Sequence, residues 1–277
     1  MSSMNNRGAS SLFQAGPILI MVVGLIALYY LYQYLFAGTT TGTEYPLLKT
    51  QQTAKVATAG AITVPSSQLP KLFDGGEFTV SSWFYVNDWS YQSGSNKSIL
   101  TIGGANAAGN FDTLRIYLGK YKPNLMVRLH SKDTGAVPTS ETMGGSEAPM
   151  NSLDAATRDA VFTTTMPDPS TLCDLPEIEL QRWVNLTVSV NGRTVDVYLD
   201  GKLSRSCVLP SYFKVDPSGY TATLLGYGGF GGEIAKTSLY DAALNPERIY
   251  KQYMQGPQPT DSLLDWFKSF FQPSTSK

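Results

Sequence analysis

Between Arg182 and Pro210 apolar and polar residues alternate with a period of two, and the alternation is interrupted twice by turn formers. Val184, Leu186, Val188 and Val190 alternate with Asn185, Thr187 and Ser189. That pattern predicts a strand with one buried and one solvent-facing side. Asn191-Gly192 tolerates the positive φ angles of a type I′ turn, and Val195, Val197 and Leu199 resume the alternation. Asp200-Gly201 predicts a second turn, and Lys202 to Val208 a third strand. The same period runs through Phe78, Val80, Ser82, Phe84 and Val86, with Thr79, Ser81, Trp83 and Tyr85 on the other side. Further strands are predicted at Ser98 to Ile102, Thr113 to Leu118 and Leu125 to His130, the last two joined across Lys122-Pro123-Asn124. His130 takes the parity opposite to Leu125, Val127 and Leu129, which predicts a solvent-facing imidazole. Short strands with turn residues every ~8–12 positions predict an all-β, two-sheet antiparallel sandwich.

The N-terminal pattern is different in kind. Pro17 to Phe36 carries no charge and one strongly polar side chain, Gln33. A helix over 17–36 at ~1.5 Å per residue spans about 30 Å, the hydrocarbon thickness of a bilayer. It is longer than the roughly 7–15 apolar residues of a cleaved signal, and Tyr29, Tyr30, Tyr32 and Tyr34 suit the membrane interface. The expected organisation is therefore a short tail over 1–16, a transmembrane helix over 17–36, a Thr/Ala/Gly-rich stalk over 37–72 and the sandwich over 73–256. Residues 131–172 read as a long polar loop, and the glycines of 226–232 as tight turns, because no phosphate-loop Lys-Ser/Thr or helix pattern follows them. Asn245-Pro246-Glu247 opens a short helix to about Met254, with Asn as N-cap and Pro at the first helical position. An amphipathic tail closes the sequence over 257–277. There Leu263, Leu264, Trp266, Phe267, Phe270 and Phe271 cover one side of a candidate docking helix. Its apolar side faces its own domain, a neighbouring protein or a membrane interface, and amphipathicity alone does not choose among them.

Composition narrows the chemistry. The 277-residue chain has a formal net charge of -1, without the basic excess of a nucleic-acid binder. One histidine and two cysteines fall short of the four ligands of a structural zinc site. Glycoside hydrolysis takes two carboxylates across the scissile bond. The nearest acidic neighbours, Asp74 with Glu77 and Glu141 with Glu147, read as surface solvation. No enzyme and no cofactor is expected, although calcium ligands scattered through loops leave no spacing to read. Two N-x-Ser/Thr sequons make Asn96 and Asn185 candidate glycosylation sites.

Three stretches resemble a known family together: FDGGEFTVSSWFYVNDW at the start, RWVNLTVSVNGRTVDVYLDGKL in the middle and GGFGGEIAKTSLYDAALNPERIYKQY at the end. In that order they are similar to a laminin-G-like domain of the concanavalin A-like jelly-roll superfamily, over roughly residues 60 to 256. An aromatic early strand, a Trp-Val strand entering an Asn-Gly turn, an Asp-Gly-Lys turn and a late Leu-Asn-Pro-Glu helix carry the likeness. With the anchor, a Cys near Gln-Arg-Trp and a second Cys in Arg-Ser-Cys-Val-Leu-Pro, the chain also resembles laminin-G-like proteins encoded by large eukaryotic DNA viruses. The resemblance implies a single-pass membrane protein of a virion or cell surface, in contact with other structural proteins of a capsid or surface assembly. The alternative it implies is a glycan-binding module, for which Trp83, Trp89, Tyr91 and Tyr212 are stacking candidates; core and rim packing is the other reading of those rings. For Cys173 and Cys207 the alternatives are a disulfide and two inert buried thiols. Their positions flanking the meander and the resemblance favour the disulfide, which implies a lumenal or exterior β-domain.

Overall fold

The computed structural model describes residues 20–31, 42–56, 60–104, 111–131, 173–217 and 219–258. The chain divides into two compact units, 1–41 and 42–277. In the first, residues 20–31 form helix α1, whose apolar side chains, Ile20, Leu25 and Leu28 among them, are exposed. Residues 17–19 and 32–36 of the expected span lie outside the described residues. No helix among the described residues is long and apolar enough to cross a membrane.

The second unit is two antiparallel sheets. In chain order the strands are β1 Glu44–Leu48, β2 Gln52–Lys55, β3 Ile62–Val64, β4 Glu77–Asp88, β5 Lys97–Gly104, β6 Asp112–Leu118, β7 Leu125–Leu129, β8 Trp183–Asn191, β9 Thr194–Leu199, β10 Lys202–Val208, β11 Tyr220–Leu224 and β12 Gly229–Tyr240. Helix α2, Pro246–Met254, follows, capped as its sequence predicts by Asn245 Oδ1, which accepts the Arg248 N–H at 2.8 Å. One sheet has seven strands in the order β1-β12-β4-β8-β9-β10, with β2 also paired to β12; the other has five, β3-β11-β5-β6-β7. The apolar parity of β4 and β8 meets Ile102, Leu114, Ile116 and Val127 of the second sheet in one buried cluster. Each such side chain contributes about 1.5–3 kcal/mol on full burial.

The meander forms as predicted, but its first turn differs. Asn191 pairs with both Glu77 and Thr194, so the ladder holds it extended and the loop is Gly192-Arg193. Only Gly192, at φ 60, is left-handed there, the pattern of a type II′ turn. The second turn is type I′, with Asp200 at φ 50 and Gly201 at φ 73.

Three other expectations need correction. The stalk assigned to 37–72 contributes β1, β2 and β3 to the sheets, because these short segments complete the ladders of β12 and β11. The polar parity of β4 and β8 does not face water: Asn185 and Thr187 are fully buried, and Ser81 and Ser189 nearly so. The segment after β12 lies over them. Thr79 Oγ1 donates to the Ala242 carbonyl at 2.8 Å and accepts the Leu244 N–H at 2.9 Å. Tyr198, Tyr240, Leu244 and Ile249 form a second small core between α2 and the sheet. His130 is likewise buried, its ring stacked on Phe111 at 4.2 Å.

Cys173 and Cys207 form a disulfide, with Cα atoms 5.7 Å apart. Cys207 lies on β10, the edge of the seven-stranded sheet. Cys173 precedes Leu175, which bridges to Leu125 on β7, the edge of the five-stranded sheet. The bond therefore joins the open edges of the two sheets. Beside it Arg128 makes a two-pronged ion pair with Asp174, and Arg205 donates to the Asp174 carbonyl at 3.1 Å.

Candidate functional site

The part of the seven-stranded sheet's outer face that α2 leaves open carries two aromatic rings. Register places Thr53, Glu233, Tyr85 and Trp183 in one row across β2, β12, β4 and β8. The Tyr85 and Trp183 rings are cross-strand partners, 5.7 Å apart and inclined at 46°, and both are half-buried. Gly232 permits the close approach of β12 to β4 beside them, since a Cβ there would overlap the Tyr85 carbonyl oxygen. Behind the pair, Trp83 is only 6% exposed and stacks flat on Tyr253 of α2.

Charged groups flank the rings on both sides. The Glu233 carboxylate accepts from Gln51 Nε2. Past Trp183, Arg182 binds Glu179 and Asp200 together. Desolvation opposes the Arg182 charge, but the hydrogen bonds and charges of Asp200 and Glu179 outweigh it and raise its pKa. Nearby, Lys236 Nζ donates to the Gly256 carbonyl at 2.9 Å, and burial lowers its pKa. Two half-open aromatic faces bounded by a carboxylate and a guanidinium suit a ligand with one apolar face and a polar rim.

Residues 127–250 match a family model described as the concanavalin A-like lectin/glucanases superfamily. Over those residues the chain is similar to that superfamily. No curated protein matches the chain. Among solved structures it is similar to the receptor binding domain of botulinum neurotoxin D, at 13% identity and TM-score 0.43, covering 78% of this chain and 44% of that one. A botulinum neurotoxin serotype D ligand binding domain in complex with N-acetylneuraminic acid matches at 12% identity and TM-score 0.45, covering 78% and 46%. A Trypanosoma rangeli sialidase bound to 2,3-difluorosialic acid matches at 10% identity and TM-score 0.40, covering 65% and 23%. The chain spans less than half the length of each of these structures.

The two-sheet sandwich does not gather the four rings expected to stack on glycans. Trp83 is covered by Tyr253 and offers no free face. Trp89 packs against the core beneath Lys97, whose Nζ stands 4.4 Å from the ring centre. Tyr91 donates its hydroxyl to the Gly228 carbonyl at 3.0 Å. Tyr212 alone of the four is well exposed, on the backbone of Gly75. Neither sequon is open: Asn96 is buried with Lys97 and Ser98, and Asn185 lies under the 241–254 segment's side of the sheet at 0% exposure. The candidate docking residues Leu263, Leu264, Trp266, Phe267, Phe270 and Phe271 lie outside the described residues, as does most of the long polar loop. Tyr85 and Trp183, which the structure brings together, were each legible as aromatic strand residues. Only the β4–β8 register makes them a pair.

The turn after β4 that holds Trp89 and Tyr91 hangs on one carboxylate. Asp88 accepts from Lys55 Nζ at 2.7 Å, from Ser90 Oγ at 2.6 Å and from the Ser90 N–H at 3.0 Å. The Lys55 hydrogen bond, then that of Ser90, lower its pKa from 3.8 to about 2. Because the folded pKa is depressed, the contribution of this contact is fully present above about 3.8 and is lost as pH falls through about 2. A carboxyl-carbon NMR titration is expected to give Asp88 a midpoint near 2. A midpoint at the ordinary Asp value would show that Lys55 does not hold it.

Proposed function

We propose that this chain is a non-enzymatic, membrane-anchored protein that displays its concanavalin A-like domain to bind glycans, with Tyr85 and Trp183 as the contact face. The half-open ring pair, on a part of the sheet's outer face that the 241–254 segment leaves open, is the observation that supports this reading. A sugar's C–H face stacks on such rings, and Glu233 and Arg182 offer hydrogen bonds to its hydroxyls. Around the rings, Glu233 stands on one side and the acids on the other, Glu179 and Asp200, are tied to Arg182. That arrangement favours holding a glycan over cleaving one. The uncharged stretch over 17–36 supports an anchor, with the disulfide favouring an exterior or lumenal domain. The resemblance to viral laminin-G-like proteins supports a virion surface as the setting. Contacts with other structural proteins of that assembly are the second reading, supported by exposed Leu203 and Val208 on edge strand β10; crosslinking in intact particles tests it.

The full chain in lipid nanodiscs is expected to bind members of a glycan array, and Trp183→Ala to weaken that binding about tenfold or more, the size expected of a central aromatic anchor. An array with no signal, with or without calcium, or signals indifferent to Trp183→Ala and Tyr85→Ala, would sink the reading.

A further inference from the structure

The chain between the apolar stretch over 17–36 and the sandwich is short. Gly42 is six residues beyond Phe36, and six residues span at most about 22 Å when fully extended. Strand β4, with twelve residues at ~3.3 Å each, is about 40 Å long. An anchor ending near Phe36 therefore brings the Gly42 side of the sandwich to the bilayer and leaves the far side out of reach. That side can be traced across the sheet. The Asp241 N–H donates to the Thr43 carbonyl at 3.4 Å, and Tyr240 pairs with both Glu44 and Thr79. Two residues before Thr79, Glu77 pairs with Asn191, and the Gly192 N–H donates to the Gly76 carbonyl at 3.0 Å. The starts of β1 and β4, the Gly192-Arg193 turn and the 73–76 turn thus share one end. Tyr85 and Trp183 lie eight residues further along β4 from Glu77, roughly 26 Å away.

This end presents two aromatic rings on a firm support. Phe73 is 69% exposed and Tyr212 53%. The 73–76 turn is tied at three points: the Gly76 N–H donates to the Phe73 carbonyl at 3.0 Å, the Gly75 N–H to the Phe213 carbonyl at 3.1 Å and the Val215 N–H to Asp74 Oδ1 at 2.7 Å. Tyr212 lies over Gly75, where a Cβ would stand 2.7 Å from its ring. The exposed charges at this end, Lys71 and Arg193 with Asp74, Glu77 and Asp241, carry no positive excess, so attraction to anionic lipid does not account for the rings. The β1 edge, also within the tether's reach, exposes Glu44, Lys49 and Gln51 instead. Rings with an apolar body, and for tyrosine a polar tip, favour the headgroup level of a bilayer. We propose, on the membrane-anchored reading above, that this end of the sandwich rests on the lipid surface with Phe73 and Tyr212 seated in the interface. Tyr85 and Trp183 then stand at the end away from the membrane, where a glycan reaches them without meeting lipid.

The test uses nitrogen-15-labelled full chain in phosphatidylcholine nanodiscs that contain a lipid carrying a gadolinium chelate on its headgroup, compared with the diamagnetic lutetium chelate. The amide signals of Gly75, Gly192 and Arg193 are expected to lose intensity to gadolinium, and those of Tyr85, Trp183 and Glu233 to keep it. Phe73→Ser combined with Tyr212→Ser should restore Gly192 and Arg193, while Thr43, beside the tether, stays attenuated. Phe73→Ser alone should restore part of the intensity, which keeps the test open if Tyr212→Ser lowers stability. Adding phosphatidylserine is expected to leave the pattern unchanged; attenuation seen only with that lipid would overturn the proposal. Alkaline carbonate extraction of the chain from phosphatidylcholine liposomes reads the anchor separately. Release into the supernatant would overturn the anchor, and the lipid contact with it. An anchored chain whose Trp183 signal falls as far as that of Gly192, or whose attenuation is indifferent to the two serine substitutions, would overturn the contact alone. Trp183→Ala is expected to leave the attenuation unchanged, which separates this contact from glycan binding.

Discussion

Phe84→Ala is expected to lower the stability of the domain by about 3–5 kcal/mol, as the loss of a whole buried aromatic ring does. Phe84 is completely buried near the middle of β4, between Ile234 on β12 and Val184 on β8, and meets Phe230 edge-on at 6.2 Å. Ladders on both sides fix the β4 backbone, so the sheets have little freedom to close over the space the ring leaves. Part of the cost is lost transfer free energy and part is the remaining cavity. Set against a total of about 5–15 kcal/mol for an ordinary domain, a loss of this size moves the unfolding midpoint far. Chemical denaturation followed by far-ultraviolet circular dichroism measures it. A loss under about 1 kcal/mol would mean that Phe84 does not fill the space between the sheets.

Breaking the Cys173–Cys207 bond, by reduction or by Cys207→Ser, is expected to cost about 3–4 kcal/mol in the chain-entropy account. The two cysteines are 34 residues apart, and the bond removes freedom from the unfolded chain over that loop. In the folded state it holds the edges β10 and β7 of opposite sheets on one side of the sandwich. Arg205 on β10, donating to the carbonyl of Asp174 that Arg128 on β7 holds, remains as a second connection between those edges, so the reduced protein is expected to stay folded at ordinary temperature. Oxidised and reduced full chain compared in urea give the difference directly. Equal midpoints would show that the bond does not close the sandwich.

Where the period of two was sustained, the fold was legible in the sequence. The β4 and β8 patterns foretold their strands and their buried faces, and Asp200-Gly201 foretold its turn. Short strands escaped. EYPLL, QTAK and ITV are too brief to show a period, and they are strands because β12 and β11 offer them partners. Parity divided each strand into two sides without revealing what lies against them. Asn185, Thr187 and His130 were therefore read as facing water, although Leu244, Ile249 and Phe111 mark outer faces that are themselves packed. For the candidate site the missing quantity was register. Tyr85 and Trp183 are distant in sequence and meet because Phe84 pairs with Val184 and Tyr85 with Trp183; a shift of one residue between the strands would put the two rings on opposite faces of the sheet.

The central claim concerns a place on the molecule, so the most direct measurement is one that resolves position. The sequence holds four tryptophans, Trp83, Trp89, Trp183 and Trp266, and their indole N–H resonances can be followed separately in full chain labelled with nitrogen-15. On titration with the strongest glycan from the array, the Trp183 resonance is expected to shift in a saturable way. Trp83, beneath Tyr253, and Trp89, beneath Lys97, should move little. A Trp183 resonance that stays still while Trp89 shifts, or while none of the four shifts, would contradict the account.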